Sequence, residues 1–268
     1  MLRAPTDGHV IRITWIGHST VLLELDGARV LTDPVLRKRV AHLRRVEGPD
    51  AQVQRDVDAV LVSHIHHDHL DLPSLRLHRS WPVVVPRGAG PFLERHGLQA
   101  LELEIGEETH IGALTVRATL AEHHARRGGL GFAAPAIGYL ICGSSRIYFA
   151  GDTDLFEGMR DLAPGLDVAL LPVAGWGPRV PAGHLDSLRA AQALSLLQPR
   201  VAIPIHWGTY RTVGSSRDAS TLREPAEEFK RLAAELAPQV DVRVLPVGGS
   251  VDVELDVSRI AQRDEVGS

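Results

Sequence analysis

Residues 63 to 71 of the chain read Ser63-His64-Ile65-His66-His67-Asp68-His69-Leu70-Asp71, so that four histidines lie within six consecutive positions. His64 and His66 are two residues apart in a segment that follows a predicted strand, and both side chains can therefore point to one side. Asp68 and His69 come one turn later and can serve a second ion nearby. Zinc binds imidazole nitrogen and carboxylate oxygen, whereas buried imidazoles without a metal would each need a separate partner. The stretch predicts the core of a site for two metal ions, with a histidine-rich surface loop as the alternative.

The composition is that of an ordinary globular protein of 268 residues, of which 44% are hydrophobic and 23% charged. That length is enough for one large domain with a full hydrophobic core. A net charge of −4 argues against a dedicated nucleic-acid binder. No run approaches the roughly 18 apolar residues of a membrane span, and residues 1–7 lack the apolar core of a signal peptide. The single cysteine, Cys142, excludes an internal disulfide and a cysteine-based metal site. We therefore expect a cytoplasmic protein without nucleic-acid partners or membrane insertion.

Hydrophobic patterning predicts a single domain over residues 1–258, built from two similar halves at about 10–130 and 131–258, with 259–268 as a flexible tail. In the first half we expect strands at 10–15, 20–25, 29–31, 58–62, 83–85, 101–105 and 114–120, and helices near residue 73 and over 91–96. In the second half we expect strands at 137–142, 146–150, 166–171, 201–205 and 242–247, and helices over 187–197 and 224–236. Strands followed by helices in both halves predict two packed β-sheets with helices outside, a four-layer α/β sandwich.

The pattern His-x-His-x-Asp-His over residues 64–69 resembles the signature of the metallo-β-lactamase superfamily. Further matches to that family follow in the expected order, namely Asp33 in Leu31-Thr32-Asp33-Pro34, His123 after the strand 114–120, Asp152 in Ala150-Gly151-Asp152-Thr153, and His206 in Ile205-His206-Trp207-Gly208. The resemblance covers about residues 13–247. It implies the αββα fold, with the site in the cleft between the two sheets.

The resemblance also implies a site for two divalent metal ions, with zinc as the first choice and manganese or iron as alternatives for a nitrogen and oxygen donor set. Carried over by position, the first ion is bound by His64, His66 and His123, the second by Asp68, His69 and His206, and both by the bridging Asp152. Asp33 corresponds to the family's acid that orients a ligand without binding the metal.

His123 and His124 compete for one place in this set, because only one of two adjacent side chains can face the metals if the strand remains extended. The sequence Ala121-Glu122-His123 resembles the Ala-Gln-His of one branch of the superfamily. That likeness favours His123, and His124 is the alternative.

Within the superfamily, the motifs resemble hydrolases of the N-acylphosphatidylethanolamine phospholipase D and ascorbate-6-phosphate lactonase type. The likeness rests on residues 15–20 (Trp-Ile-Gly-His-Ser-Thr), on residues 206–210 (His-Trp-Gly-Thr-Tyr), and on His184. In that branch the corresponding histidine lies close to the metals, so His184 is a candidate contact for a substrate or an oxyanion, and a surface histidine is the alternative. His18 is predicted to be a structural or orienting residue rather than a catalytic one.

We therefore expect a metal-dependent hydrolase of the phosphodiesterase or lactonase type, in which a hydroxide bridging the two ions attacks a phosphodiester, lactone or ester. Two divalent ions bring four positive charges, and Asp68, Asp152 and the hydroxide bring three negative ones. The site stays positive and suits a small anionic or carbonyl-bearing substrate. Asp68 is the candidate to pass a proton to the leaving group, and His184 the candidate to stabilise the oxyanion.

The remaining candidates are contacts to the substrate. Residues 36–45 are rich in arginine, and we interpret them as a solvated amphipathic stretch, with Arg37 and Arg39 contacting a substrate phosphate as the alternative. Trp176 and Trp207 are candidates for apolar walls of the site, or else they pack in the core. The rival function is a non-catalytic ligand-sensing protein that retains the fold, although such proteins usually lack some ligands and none is missing here. A homo-oligomer is compatible with the sequence.

Overall fold

The computed structural model describes residues 10–46, 56–77, 79–127, 132–175, 180–214 and 219–254. The strands of the first half are β1 (Val10–Gly17), β2 (Thr20–Leu25), β3 (Ala28–Thr32), β4 (Arg39–Val40), β5 (Leu43–Arg45), β6 (Ala59–Leu61), β7 (Val83–Pro86), β8 (Ala100–Leu103), β9 (Glu108–Ile111), β10 (Leu114–Leu120) and β11 (Arg126–Arg127). Those that follow are β12 (Phe132–Ala133), β13 (Ile137–Cys142), β14 (Arg146–Phe149), β15 (Val168–Pro172), β16 (Val201–Ile205), β17 (Tyr210–Thr212), β18 (Asp241–Val242) and β19 (Ser250–Glu254). The helices are α1 (Leu72–Leu77), α2 (Gly90–Glu94), α3 (Ser187–Leu197) and α4 (Glu224–Leu236).

The first three strands form the antiparallel meander that their sequence predicts. In β1, Ile11 and Ile13 are fully buried while Arg12 between them is exposed, as expected of a strand with one face in the core. Asp26 and Gly27 join β2 to β3 with φ angles of 49° and 76°. Positive φ at both central residues is the type I′ hairpin geometry that an Asp-Gly pair favours.

The two main sheets share one plan, a set of antiparallel strands followed by a set of parallel strands. The first sheet has the order β19-β1-β2-β3-β6-β7-β8, in which β19 to β3 are antiparallel and β3 to β8 are parallel. The second has the order β9-β10-β13-β14-β15-β16-β18, in which β9 to β14 are antiparallel and β14 to β18 are parallel. The carboxyl ends of the parallel strands lie at one edge of each sheet, which is where the candidate site residues follow.

The sheets pack face to face, and helices cover their outer faces. Leu61 of β6 lies in the cluster of buried side chains between the sheets, together with Tyr139 of β13, and the same cluster includes Phe229 of α4. Val60, the neighbour of Leu61, lies in a second cluster with Leu93 of α2. Successive strand residues alternate between faces, so β6 is buried on both sides. The predicted four-layer sandwich is confirmed.

The halves of the chain exchange edge strands. β9 and β10, which fall within the predicted first half at about 10–130, lie in the second sheet. In return β19, from the end of the described chain, pairs with β1 and completes the first sheet. The boundary between the two sheets therefore does not coincide with the boundary expected near residue 130.

The end of the chain corrects one prediction. A single strand was expected over 242–247, but β18 ends at Val242 and the next strand is β19. Pro246 has no N–H to donate to a strand ladder, and Gly248 turns the chain at a φ of 82°. The strand lies eight residues later, in an alternating stretch whose Val253 is buried against β1. Among the helices that the structure describes, none combines the length and apolar character needed to cross a membrane.

Candidate metal centre

Three candidate residues begin their loops in the left-handed region of backbone conformation. His18 follows β1, Asp33 follows β3 and His206 follows β16, with φ angles of 55°, 33° and 63°. Residues other than glycine rarely adopt positive φ, and such strain persists only where the surroundings enforce it. In each case the turn directs a buried side chain into one cluster of histidines and carboxylates.

His64, His66 and His123 form the first group of this cluster. The Nδ1 atom of His66 lies 3.0 Å from Nε2 of His64 and 3.2 Å from Nε2 of His123. His123 is the member of its pair that enters the group, whereas His124 is exposed.

Hydrogen bonds on the outer side of the first group determine which ring nitrogen of His64 and His123 carries the proton. The Nδ1 of His123 donates to the carbonyl oxygen of Gly183 at 2.9 Å, and the Nδ1 of His64 lies 3.0 Å from the hydroxyl of Ser63. That hydroxyl donates to the Asp33 carboxylate at 2.6 Å, so its oxygen accepts the proton of His64. Two Nε2 lone pairs therefore face a single nitrogen of His66, which can donate to only one of them. A shared cation removes this repulsion, and the donor set fits a divalent transition metal.

The second group contains Asp68, His69 and His206, joined by His18, and one donor atom of each lies within 4.8 Å of the others. The Nδ1 of His69 donates to Asp33 at 2.7 Å, and the Nδ1 of His206 donates to the carbonyl oxygen of Ala174 at 2.9 Å. Both rings consequently present Nε2 to the centre of the group. This backing by carboxylate and carbonyl oxygens is the usual support of histidine metal ligands.

Asp152 lies between the two groups. One carboxylate oxygen, Oδ2, is 3.2 Å from Nε2 of His69 and 3.9 Å from Nε2 of His64, while Oδ1 is 3.3 Å from Nε2 of His206. The side chain is 3% exposed and is delivered by Gly151, whose φ is 61°. Its carboxylate can therefore reach an ion in either group.

The charges of the metal-free cluster are set by burial and by the two carboxylates. Burial raises the pKa of Asp152, but the imidazoles of His206 and His69 outweigh it and hold that pKa well below its usual value. Burial lowers the pKa of His69, but Asp152 and Asp33 outweigh it and raise that pKa well above the usual value. In the first group, burial lowers the pKa of His123 to about 4 and that of His64 well below its ordinary value. The first group is thus neutral and ready to bind a cation.

His184 lies beside the bridging position. Its Nε2 is 3.5 Å from Oδ2 of Asp152, and its ring meets that of His123 edge-on at 4.6 Å. Burial lowers the pKa of His184, but the hydrogen bond and charge of Asp152 outweigh it and raise that pKa. The side chain is 17% exposed, so this imidazole can donate a hydrogen bond to a bound molecule.

Three further residues support the ligands. Ser63 connects two site residues, because its hydroxyl accepts a hydrogen bond from His64 and donates one to Asp33. Arg127 donates from Nη1 to the carbonyl oxygens of Ile65 and Leu70, both at 2.8 Å, and braces the histidine-rich loop. Thr209 accepts a hydrogen bond from the backbone N–H of His18 at 2.7 Å. The contacts of Arg127 and Thr209 join residues 57 to 191 positions apart, and only the folded chain reveals them.

The candidate substrate contacts are placed less favourably. Arg37 pairs with the buried carboxylate of Asp71, which engages its charge. Trp207 is 5% exposed, stacks on Trp15 at 4.6 Å and donates to the carbonyl oxygen of Pro204, so it packs in the core rather than forming a wall of the site. Trp176 lies outside the described residues.

Arg39 belongs to a small sheet of β4, β5 and β17, in which β4 and β5 come from the basic stretch 36–45. Arg39 pairs directly with Arg44, and Arg44 with Arg211, so three arginines share one register across three strands. In the part of the chain that the structure describes, none of them has a carboxylate partner. The opposite face of this sheet buries Leu43 and Tyr210. The basic stretch is thus amphipathic, as interpreted from the sequence.

Comparison with known proteins supplies relatives for this arrangement. A model described as "Beta-lactamase superfamily domain" matches residues 28–207. A UPF0173 metal-dependent hydrolase of Methanopyrus kandleri is 31% identical over 250 residues, covering 90% of this chain and 100% of the relative. The N-acyl-phosphatidylethanolamine-hydrolyzing phospholipase D 1 of Caenorhabditis elegans is 30% identical over 249 residues, covering 82% of this chain and 68% of the relative. Among solved structures, the metallo hydrolase Igni18 of Ignicoccus hospitalis aligns with a TM-score of 0.72 and 25% identity, covering 92% of this chain and 100% of that chain.

Proposed function

The chain belongs to the beta-lactamase superfamily and is a metal-dependent hydrolase, and we propose that it uses two divalent ions to hydrolyse a phosphodiester, a lactone or another ester. In this proposal His64, His66 and His123 hold the first ion, Asp68, His69 and His206 hold the second, and Asp152 bridges the two. Zinc suits these donors, as do manganese and iron.

The observation that carries the proposal is the position of Asp152 between two separate groups of ligand atoms. A structural single-ion site closes around its metal with four protein ligands. Here one buried carboxylate reaches nitrogen atoms of both groups, at 3.9 Å in the first and at 3.2 and 3.3 Å in the second. With the shared carboxylate each ion would have four protein ligands, and water or substrate would bind by raising its coordination number to five, as catalytic zinc sites can do.

The side chains around such a centre divide the work of hydrolysis. Bound divalent ions supply Lewis acidity and lower the pKa of a coordinated water from 15.7 to about 7. In the metal-free protein Asp68 is ionised, because burial, which raises its pKa, is outweighed by His69 and by the hydrogen bond from His18. Its side chain is 15% exposed, so it can take a proton from the attacking water and carry it to the leaving group. His184, whose Nε2 lies beside Asp152, is the candidate to donate to the oxyanion that develops on the substrate.

The chemistry of this site selects the substrates to test first. Two ions and two ionised aspartates leave net positive charge, which favours a small anionic or carbonyl-bearing molecule. One relative is a phospholipase D by name, and enzymes of that type hydrolyse a phosphodiester bond. Phosphodiesters therefore come first, and lactones second.

The test compares wild-type protein with Asp152→Ala after loading with zinc, manganese or iron, using bis-p-nitrophenyl phosphate and a lactone panel. We expect about two ions per chain in the wild type and a loss of turnover of more than about a hundredfold in Asp152→Ala, since loss of a supporting contact alone can cost 10–100-fold. His110→Ala, which removes an exposed imidazole on β9, is the matched control. Equal rates for wild type and Asp152→Ala refute catalysis at this site. A ligand that raises the melting temperature without being consumed favours the sensing protein instead.

A further inference from the structure

We propose that His18 binds the second metal ion through its Nε2 atom, as a fifth protein side chain beside Asp68, His69, His206 and the shared Asp152. The inference rests on the proposed two-ion site and extends it. It changes the role expected from the sequence, in which His18 only supports the site.

The backbone of His18 is held in place from three directions. Its carbonyl oxygen accepts hydrogen bonds from the indole N–H of Trp15 at 2.8 Å and from the N–H of His206 at 3.0 Å. Its own N–H donates to Thr209 at 2.7 Å. These bonds hold a φ of 55°, a conformation that is uncommon for residues other than glycine. Strain maintained in this way is typical of a residue that must point in one direction.

The residue before it makes this turn sterically demanding. Gly17 has a φ of 129°, and a Cβ atom placed there would lie 2.7 Å from Cγ2 of Thr209. Only glycine allows the chain to pass so close to Thr209 while holding His18 in the left-handed conformation.

The ring of His18 lies among the ligands of the second group. It is 1% exposed, and its centroid is 4.1 Å from that of His206 and 5.1 Å from that of His69. One donor atom of each of these rings and of Asp68 lies within 4.8 Å of the others. Two ligands on opposite sides of one zinc ion are separated by at most about 4.4 Å, since each bond is about 2.0–2.2 Å. A movement of a few tenths of an ångström therefore brings all four atoms to one ion.

A hydrogen bond to Asp68 is the competing role for His18. The Nε2 of His18 lies 3.3 Å from Oδ2 of Asp68, whereas the Nδ1 of His69 lies 2.7 Å from Asp33. Hydrogen bonds between a nitrogen donor and a carboxylate are normally about 2.7–2.9 Å long. The Asp33 contact lies in that range, and the Asp68 contact is a longer and weaker hydrogen bond of the metal-free protein. Its length also suits two ligands of one ion, so binding of an ion between them would replace this hydrogen bond.

Metal binding by two substitutions at position 18 separates the two roles. Glutamine can still donate a hydrogen bond to Asp68 from its amide, but that amide nitrogen does not bind a divalent ion. We expect His18→Ala and His18→Gln both to keep the first zinc ion and to bind the second at least tenfold more weakly, in competition with a chromophoric chelator. His110→Ala should behave as wild type. If His18→Gln binds two ions like the wild type while His18→Ala does not, or if both bind like the wild type, His18 is not a ligand.

The wild-type protein gives a test that does not depend on the folding of a variant. In crystals of the zinc-loaded protein, anomalous scattering locates the ions, and we expect about 2.0–2.1 Å between the second ion and Nε2 of His18. A separation above about 3 Å, beyond any zinc–nitrogen bond length, overturns the inference while leaving the two-ion hydrolase intact. A wild-type protein that binds no second ion refutes the two-ion site itself, and this inference with it.

Discussion

Asp33→Asn tests the hydrogen-bond network behind the metal centre. Asp33 is fully buried and accepts three hydrogen bonds, from the N–H and the hydroxyl of Ser63 at 2.7 and 2.6 Å and from Nδ1 of His69 at 2.7 Å. An asparagine in the same place keeps one acceptor oxygen but puts an NH₂ group where the second oxygen lay. That group donates, so Nδ1 of His69 must accept and the one remaining ring proton lies on Nε2, whereas in the wild type loss of the Nε2 proton leaves the other proton on Nδ1, facing Asp33. Nε2 is the atom that faces Asp152 at 3.2 Å and that must bind the ion.

The size of the effect follows from this change of tautomer. Binding an ion to the variant requires the proton to return to Nδ1, opposite the new NH₂ group, with both donors left unsatisfied. Removing a group that orients a ligand weakens metal binding about 10–100-fold, or about 1.4–2.8 kcal/mol. We expect the affinity for the second ion to fall by this factor. The affinity for the first ion should fall less, because Asp33 reaches His64 only through the rotatable hydroxyl of Ser63.

The assay is competition of each variant with a chromophoric chelator for zinc, with a urea titration of the metal-free protein to show that the fold is retained. Asp167→Asn is the matched control, because Asp167 is also a buried carboxylate that accepts a hydroxyl and a backbone N–H, at the amino end of β15 away from the site. Wild-type affinity for both ions in Asp33→Asn would refute the tautomer argument.

Three further predictions concern protonation, the turn before His18 and the arginine row. Because Asp152 and Asp33 outweigh burial and raise the pKa of His69, the metal-free protein holds a proton there that a second ion must expel. Below that pKa, the affinity for the second ion should therefore fall about tenfold for each unit of pH decrease. Calorimetry in buffers of different ionisation enthalpy measures the protons released on binding. Detecting no release at neutral pH would contradict this prediction. Gly17→Ala should cost about 1–3 kcal/mol or more in urea unfolding, whereas Gly27→Ala, at a positive φ but with open space around it, should cost less. Arg44→Glu should raise the free energy of unfolding by about 0.2–1 kcal/mol by replacing two like-charge pairs with opposite-charge pairs, and an Arg44→Gln protein of equal or greater stability would argue against a charge effect.

The sequence predicts best those helices whose ends are marked by local residue signals. α3 was expected over 187–197 and has those bounds, since Asp186 caps it by accepting from the N–H of Arg189 and Pro199 lies just beyond its end. α4 begins with Pro225 in its first turn, as helix starts favour. The strand β19 was missed because the prediction extended one strand through Pro246 instead of starting a new one after it.

In the candidate site, too, local sequence patterns predict some features, while others depend on residues far apart in the chain. The spacing within residues 64–69 indicates metal binding by itself, and strand ends marked by Asp33, Asp152 and His206 indicate where the partners enter. Which nitrogen of each ring faces the centre depends on carbonyl groups such as that of Gly183, 60 residues from His123. Those contacts depend on how the sheets pack, which no local pattern encodes.

The exchange of edge strands has a consequence for how the protein is made. A chain leaves the ribosome from its amino terminus, so β1 emerges early and β19 late. Until residues 250–254 appear, β1 has an open edge, and an open strand edge can pair with other chains. The backbone of Trp15, just before Gly17 and His18, is also bonded to Gly248 and Gly249. The turn that carries His18 therefore lacks these backbone bonds until residues 248–254 have emerged and paired with β1.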